Sequence, residues 1–245
     1  MTKSRKYKYI LSIVFISMGF CASFSQQDSA SDVLKKVSSY YQTLDAYSLD
    51  IEYAMYKGYT GKNLTESYNA SIYKNEGVTQ LKVLGSTILQ FSKAQLTIND
   101  ANKTLIYNEI SNKELNQSPL DISAFLNFYK EVSNTISKNV LTLEMVLQSS
   151  TIPIPYSKVI LHVDKNTYAL KKQELFLSTK VPFVDKEGKS TEDVGRLEIT
   201  FQSKTNDINQ IQVPKLEDYI VLKPNKQVRL TQAYAAYTII DQTNL

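Results

Sequence analysis

The sequence is poor in the residues on which most enzyme sites are built. Its 245 residues include one cysteine, one histidine, no tryptophan and seven glycines. The cysteine, Cys21, falls within the first 25 residues. Residues 26–245 therefore have no disulfide framework, no thiol nucleophile and no thiolate metal site. His162 cannot make a three-histidine zinc site, and serine–histidine machinery would have to be built around it alone. It shares the polar phase of a strand with Lys158 and Asp164, so a solvated side chain is expected. Neither GxGxxG nor GxxxxGK occurs, which removes the common phosphate cradles.

An excess of one charge is also missing once the N-terminus is set aside. The formal charge of +4 equals the contribution of Lys3, Arg5, Lys6 and Lys8. Past them the two signs balance, so no basic field argues for nucleic acid or an anionic membrane. A long apolar run, Ile10 to Phe20, follows these basic residues and precedes the small-x-small site Ser23-Phe24-Ser25. That is the pattern of a secretory signal peptide, with an apolar part too short to span a bilayer comfortably. Cleavage is expected after Ser25, leaving residues 26–245 as one exported, periplasmic domain that does not span the membrane. Phe20 stands where a lipidation signal needs a small residue, so Cys21 reads as part of the leader.

Acidic residues pair at Asp50 and Glu52, Glu192 and Asp193, and Glu217 and Asp218. Each pair lies on a strand's polar phase or in a polar loop. Catalytic carboxylate pairs need one member in an apolar pocket, and the spacing provides none. No catalytic residue, metal ligand or cofactor is expected.

What is present is period two. Leu49, Ile51, Tyr53 and Met55 alternate with polar residues, and so do Val159, Leu161 and Val163, and Leu197, Ile199 and Phe201. Such runs are strands with one buried face. Further strands are predicted at Leu64 to Tyr73, Thr79 to Leu84, Thr87 to Phe91, Gln95 to Ile98, Thr104 to Asn108 and Val140 to Leu147. Turn residues separate them, as at Asn75 to Gly77 and Asp164 to Thr167. An opening helix is predicted from Ser29, with Asp32 completing a capping box and Val33, Val37, Tyr40, Tyr41 and Leu44 at helical spacing. A second helix is predicted from Ser118, with Phe125, Leu126 and Tyr129 in its stripe. Ser133 to Asn139 reads as helix extension or loop. The tyrosines, 17 in all, fall mostly in strand phase, where an amphipathic ring packs well.

The segment TINDANKTLIYNEISNKELNQ, Thr97 to Gln117, resembles a strand-turn-strand of the LolA-like periplasmic lipoprotein carriers, with Asp100, Lys103, Leu105 and Tyr107 at matching places. VILHVDKNTYALKKQELF followed by GRLEITF looks like that family's late strands, and the opening helix followed by AYSLDIEY looks like its start. The resemblance implies an α+β fold: a curved antiparallel sheet forming an incomplete β-barrel, with helices packed as a lid on the concave face. It also implies an apolar cavity for lipid or lipoprotein acyl chains. Gly77 to Phe91 lacks the lid-latching arginine of the family's carriers. The expected lining is Leu49, Ile51, Tyr53, Met55, Leu96, Ile98, Phe125, Leu126 and Tyr129. Burying a CH₂ is worth about 0.8 kcal/mol, so a chain of about 16 carbons offers on the order of 12 kcal/mol before ordering costs. The alternative is a module that uses the same fold to bind an envelope protein.

Overall fold

The computed structural model describes residues 28–110, 127–149, 151, 153–204, 212–223 and 227–243. Helix α1 (Ala30–Thr43) opens the described chain. Six strands follow: β1 (Tyr47–Lys57), β2 (Leu64–Asn75), β3 (Val78–Val83), β4 (Ser86–Gln90), β5 (Ala94–Asn99) and β6 (Thr104–Glu109). Next come β7 (Tyr129–Ser137), β8 (Val140–Leu147), β9 (Tyr156–Asp164), β10 (Leu170–Leu177), β11 (Val181–Val184), β12 (Ser190–Asp193) and β13 (Gly195–Ser203). The last are β14 (Ile220–Leu222), β15 (Val228–Leu230) and β16 (Thr238–Asp241).

Twelve strands make one curved sheet in the order β16-β6-β5-β4-β3-β2-β1-β13-β10-β9-β8-β7. Neighbours pair antiparallel except β16, which runs parallel to β6. The terminal strands β16 and β7 do not pair with each other, so the barrel is incomplete. Consecutive hairpins build most of the order, and their turns follow from local chemistry. Glu76 and Gly77, like Leu84 and Gly85, all take positive φ. This suits two-residue turns whose twist matches that of the flanking strands. After β9 the Asp164 carboxylate accepts from the backbone N–H of Asn166 and Thr167, at 3.0 and 3.1 Å, which closes the turn into β10.

The chain departs from the sequence reading at β7. Tyr129, assigned above to a helical stripe, is the first residue of this strand, and Ser133 to Ser137 continue it. An edge strand has one neighbour and need not bury a face, so its sequence carries no clean alternation. Pairing with β8, from Tyr129 opposite Leu147 to Ser137 opposite Val140, decides the conformation. Residues 118–126 of the expected second helix, Phe125 and Leu126 among them, lie outside the described residues. A second departure is the hairpin β11–β12, a strand pair absent from the sequence reading.

Register counting shows that the apolar residues divide between two sides of the sheet. Residues directly opposite each other on neighbouring strands share a face. Leu49, Ile51, Ile72, Leu161, Val163 and Ile199 lie on the face crossed by α1, where they pack with Val33, Leu34, Val37 and Tyr41. Leu89, Leu96, Ile98, Leu105 and Tyr107 form a second cluster with Ile220 of β14 and Val228 of β15. That cluster lies on the opposite face: Leu96 stands across from Leu89 and Tyr107, and Leu89 across from Gln80, which pairs through Tyr73 with Ser48.

At the start of β13 the chain has no room for a side chain. A Cβ on Gly195 would lie 2.8 Å from Leu177 Cδ1, 3.1 Å from Phe183 Cζ and 3.3 Å from Met55 Sδ. Gly195→Ala is expected to destabilise the protein by about 1–3 kcal/mol through overpacking. Urea unfolding of the two proteins checks this, with equal midpoints as the contrary result.

Candidate ligand-binding face

Helix α1 is fastened to the sheet at both ends. Ser29 caps it: its hydroxyl accepts from Asp32 N–H and the Asp32 carboxylate accepts in return from Ser29 N–H. The Ala30 N–H donates to Glu131 of β7 at 2.7 Å, which neutralises an orphan donor of the first turn. Tyr168, in the β9–β10 turn, donates to Asp28 at 2.7 Å, and Lys36 bonds both. Hydrogen bonds from Lys36 and Tyr168 hold the Asp28 carboxyl below the usual carboxylate range. At the other end Lys74 donates to the Leu44 carbonyl at 2.9 Å, and the Tyr41 hydroxyl accepts from Leu170 N–H at 3.1 Å. Burial pushes the Tyr41 hydroxyl up to about 12. These bonds make α1 a fixed cover over β8, β9 and β10.

From beneath that cover an apolar row runs outward across the sheet. Direct cross-strand partners are Leu49, Ile72, Leu81, Ile88, Thr97, Ile106 and Ile240, one from each strand between β1 and β16. Exposure grows along it, from 5% at Leu49 and 3% at Ile72 through intermediate values to 42% at Ile240. Beside it Tyr53 and Tyr68 stack with ring centroids 4.7 Å apart. Burial raises the Tyr53 hydroxyl above its ordinary pKa. Around the C-terminal turn of α1 a cleft of about 510 Å³ is lined by Tyr40, Leu44, Tyr47, Leu49, Leu170 and Phe201 among others. Its volume and largely apolar walls fit a small-molecule site, for which about 300–1,000 Å³ is usual.

The structure distributes the expected lining unevenly. Leu49 and Ile51 are buried on the helix-bearing face, and Tyr53 packs at the margin of the same cluster. Met55 is half-buried on β1, opposite Leu197. Tyr129 is buried in that cluster and donates to the Tyr156 carbonyl at 2.7 Å. Leu96 and Ile98 lie behind the sheet, so one cavity cannot hold them together with Leu49. The residues missed by the sequence reading are Leu81, Ile88, Ile106 and Ile240; only registers summed over six pairings bring them into line.

The opposite face carries charge. Glu174 stands directly across from Glu198, a repulsive pair by itself. Lys172 bridges the two at 3.2 and 2.9 Å, and Arg196 bonds Glu198 at 2.7 Å while donating to the carbonyls of Tyr59 and Gly61. His162 is part of this network rather than free in water. Its Nε2 lies 2.8 Å from Glu174 and its Nδ1 3.3 Å from Thr142 Oγ1, because the β8–β9–β10 registers set these side chains together. The histidine hydrogen bond, followed by Lys172, holds the Glu174 carboxyl down at about 2. A larger hollow, about 720 Å³, is lined from this face by Asp50, Glu52, Asn69, Lys82 and Gln202. Asp50 is engaged with Lys204 at 2.8 Å, and the hollow's polar walls offer an acyl chain little. Among the described residues no three His, Cys, Asp or Glu side chains come together as metal ligands. No described helix is long and apolar enough to cross a membrane.

No family model matches the sequence, and comparison with curated proteins gives no match. Among solved structures, the chain is similar to an uncharacterized conserved protein from Thermus thermophilus, with 11% identity, a TM-score of 0.39 and coverage of 76% of this chain and 95% of that one. It is also similar to a LolA superfamily protein from Nitrosomonas europaea, with 12% identity, a TM-score of 0.31 and coverage of 77% and 96%. A third similarity is to a chain of the Pseudomonas aeruginosa MucA/MucB complex, with 12% identity, a TM-score of 0.38 and coverage of 75% and 60%. These likenesses are distant. The chain's own curved open sheet, with α1 across one face, is the incomplete barrel expected above.

Proposed function

We propose that this chain is an exported, non-enzymatic binding protein that holds a lipid or lipoprotein acyl chain against the helix-bearing face of its sheet, in the periplasm. The observation that carries the reading is the row from Leu49 to Ile240, which passes from a sealed core to open surface without a charged residue. An extended chain laid along it gains about 0.8 kcal/mol per buried CH₂. Because α1 is tied down at both ends, access is over β3 to β6, where no described helix lies. Protein purified from its native envelope is expected to release an acyl-bearing amphiphile on organic extraction, detected by mass spectrometry. Recovery of protein with no extractable amphiphile, and no binding of a dansyl-labelled fatty acid, would count against the reading.

A second reading, an interaction module for another envelope protein, is favoured by β7. Among the described residues this strand pairs only with β8, and it leaves Val132 and Ile136 exposed at 56% and 43%. An open strand edge with apolar side chains is suited to accept an extended peptide. A stoichiometric protein partner with no bound amphiphile would favour it over the first.

A further inference from the structure

The cleft at the C-terminal end of α1 has aromatic walls. Tyr40, Tyr41, Tyr47 and Phe201 all line its volume of about 510 Å³. The rings of Tyr40 and Tyr41 meet at 77° with centroids 5.0 Å apart, and those of Tyr41 and Tyr47 at 65° and 5.6 Å. Parallel rings would leave a slot for a flat group, whereas rings that turn a corner suit a rounded one. The chain fixes these positions locally. Tyr40 and Tyr41 end the apolar stripe of α1, Tyr47 opens β1 just past the helix's C-cap at Leu44, and Phe201 stands on β13 opposite Ile51. Tyr41 and Tyr47 are buried at 2% and 5% exposure, and Tyr40 and Phe201 are half-buried.

The field in this cleft has one sign. A helix ends in carbonyls without intrahelical partners and carries about half a negative charge there, and α1 has no basic residue in its last turn. Side chains supply donors instead. The Thr43 hydroxyl bonds the Ser39 and Tyr40 carbonyls at 2.9 and 3.1 Å, and Lys74 of β2 reaches the Leu44 carbonyl at 2.9 Å. The Lys74 ammonium also stands 5.9 Å from the centre of the Tyr47 ring. An ammonium held between a helix-end carbonyl and a tyrosine ring is thus already part of the fold. The ionised side chains that line the cleft, Asp164 and Lys171, pair with each other at 2.9 Å. Ring faces and helix carbonyls therefore set the field, and both attract a cation.

We propose that this cleft takes the ammonium group, primary or quaternary, of an amphiphile whose chain runs out along the apolar row. The proposal rests on the acyl-binding role above and adds the class of head group. Leu49 joins the two regions: it lines the cleft and is the first residue of the row. Ammonium groups are carried by zwitterionic lipids and by free amines, and the need for a tail tells these sources apart.

The test is calorimetric titration with an alkyltrimethylammonium, an alkyl alcohol and an alkyl sulfate of equal tail length, each below its micelle concentration. The ammonium is expected to bind about tenfold more tightly than the alcohol, and the sulfate no more tightly than the alcohol. Tyr40→Leu and Phe201→Leu keep apolar bulk but remove a ring, and each is expected to cut the ratio to about threefold or less. Tyr40→Phe keeps the ratio, because the ring face and not the hydroxyl is used. A wild-type ratio near one, or a ratio unchanged in both leucine variants, overturns the ammonium site and leaves acyl binding standing. Competition by tetramethylammonium alone overturns the amphiphile in favour of a free amine, and its failure to compete places the ammonium on a lipid. Failure of the wild type to bind any of the three amphiphiles overturns both this proposal and the acyl-binding role.

Discussion

Truncating Leu161 to alanine is expected to cost about 2–5 kcal/mol of unfolding free energy, whereas truncating Ile240 leaves stability within about 0.5 kcal/mol. Leu161 is fully buried between sheet and helix. Its loss removes apolar contact and leaves a cavity that the clamped α1 cannot collapse into. Ile240 sits at the far end of the same face and is 42% exposed, so the folded protein loses little there. Ligand binding should respond in the reverse order at the open end. Ile240→Ala removes up to three carbons from the surface on which a chain lies, and about 1–2 kcal/mol of affinity goes with them, roughly 5- to 30-fold. Urea unfolding paired with titration of a dansyl-labelled fatty acid separates the two effects. Equal destabilisation by both variants would mean that the row is ordinary core along its whole length.

The second large effect belongs to the opposite face and to acid. The Glu174 carboxyl is held at about 2 in the folded protein, against an ordinary value of 4.5, chiefly by His162 and then by Lys172. Its side chain is 15% exposed, so solvent screens these contacts little. A folded pKa below the unfolded one means that the stabilisation is complete above about pH 4.5 and is lost as pH falls toward about 2. At 1.36 kcal/mol per unit the loss is on the order of 3 kcal/mol. Glu174→Gln removes the direct repulsion with Glu198 but weakens the hydrogen bond to His162 and takes from Lys172 one of its two carboxylate partners. The variant is expected to be about 1–3 kcal/mol less stable at neutral pH and to lose less than the wild type between pH 5 and pH 2. Unfolding midpoints measured across that range check it, and parallel profiles for the two proteins would contradict the assignment.

Much of this architecture is legible one element at a time. Ser29 and Asp32 announce the helix start, Glu76 and Gly77 a tight turn, and the alternation in Leu49 to Met55 a strand with one wet face. What a single strand's alternation leaves open is which side of the sheet its apolar phase takes. Leu96 and Ile98 alternate as cleanly as Leu49 and Ile51. Four hairpins separate the two strands, and a slip of one residue in any of them exchanges the faces. In the actual registers the partner line from Leu49 arrives at Thr97, not at Leu96. The second cluster is then covered from behind by Ile220 and Val228, on short strands whose sequences carry little period. The edge strand β7 was hidden for the opposite reason, since only its pairing with β8 makes KEVSNTIS a strand.

Methyl NMR with a spin-labelled fatty acid reads directly whether an acyl chain lies on the helix-bearing face. The paramagnetic label should broaden the methyl signals of Ile88, Ile106 and Ile240, which share one side of the sheet, and spare those of Ile98, Ile220 and Ile239 on the other. Broadening of Ile98 and Ile220 with Ile88 and Ile106 untouched, or no broadening at any of the six, would contradict that placement.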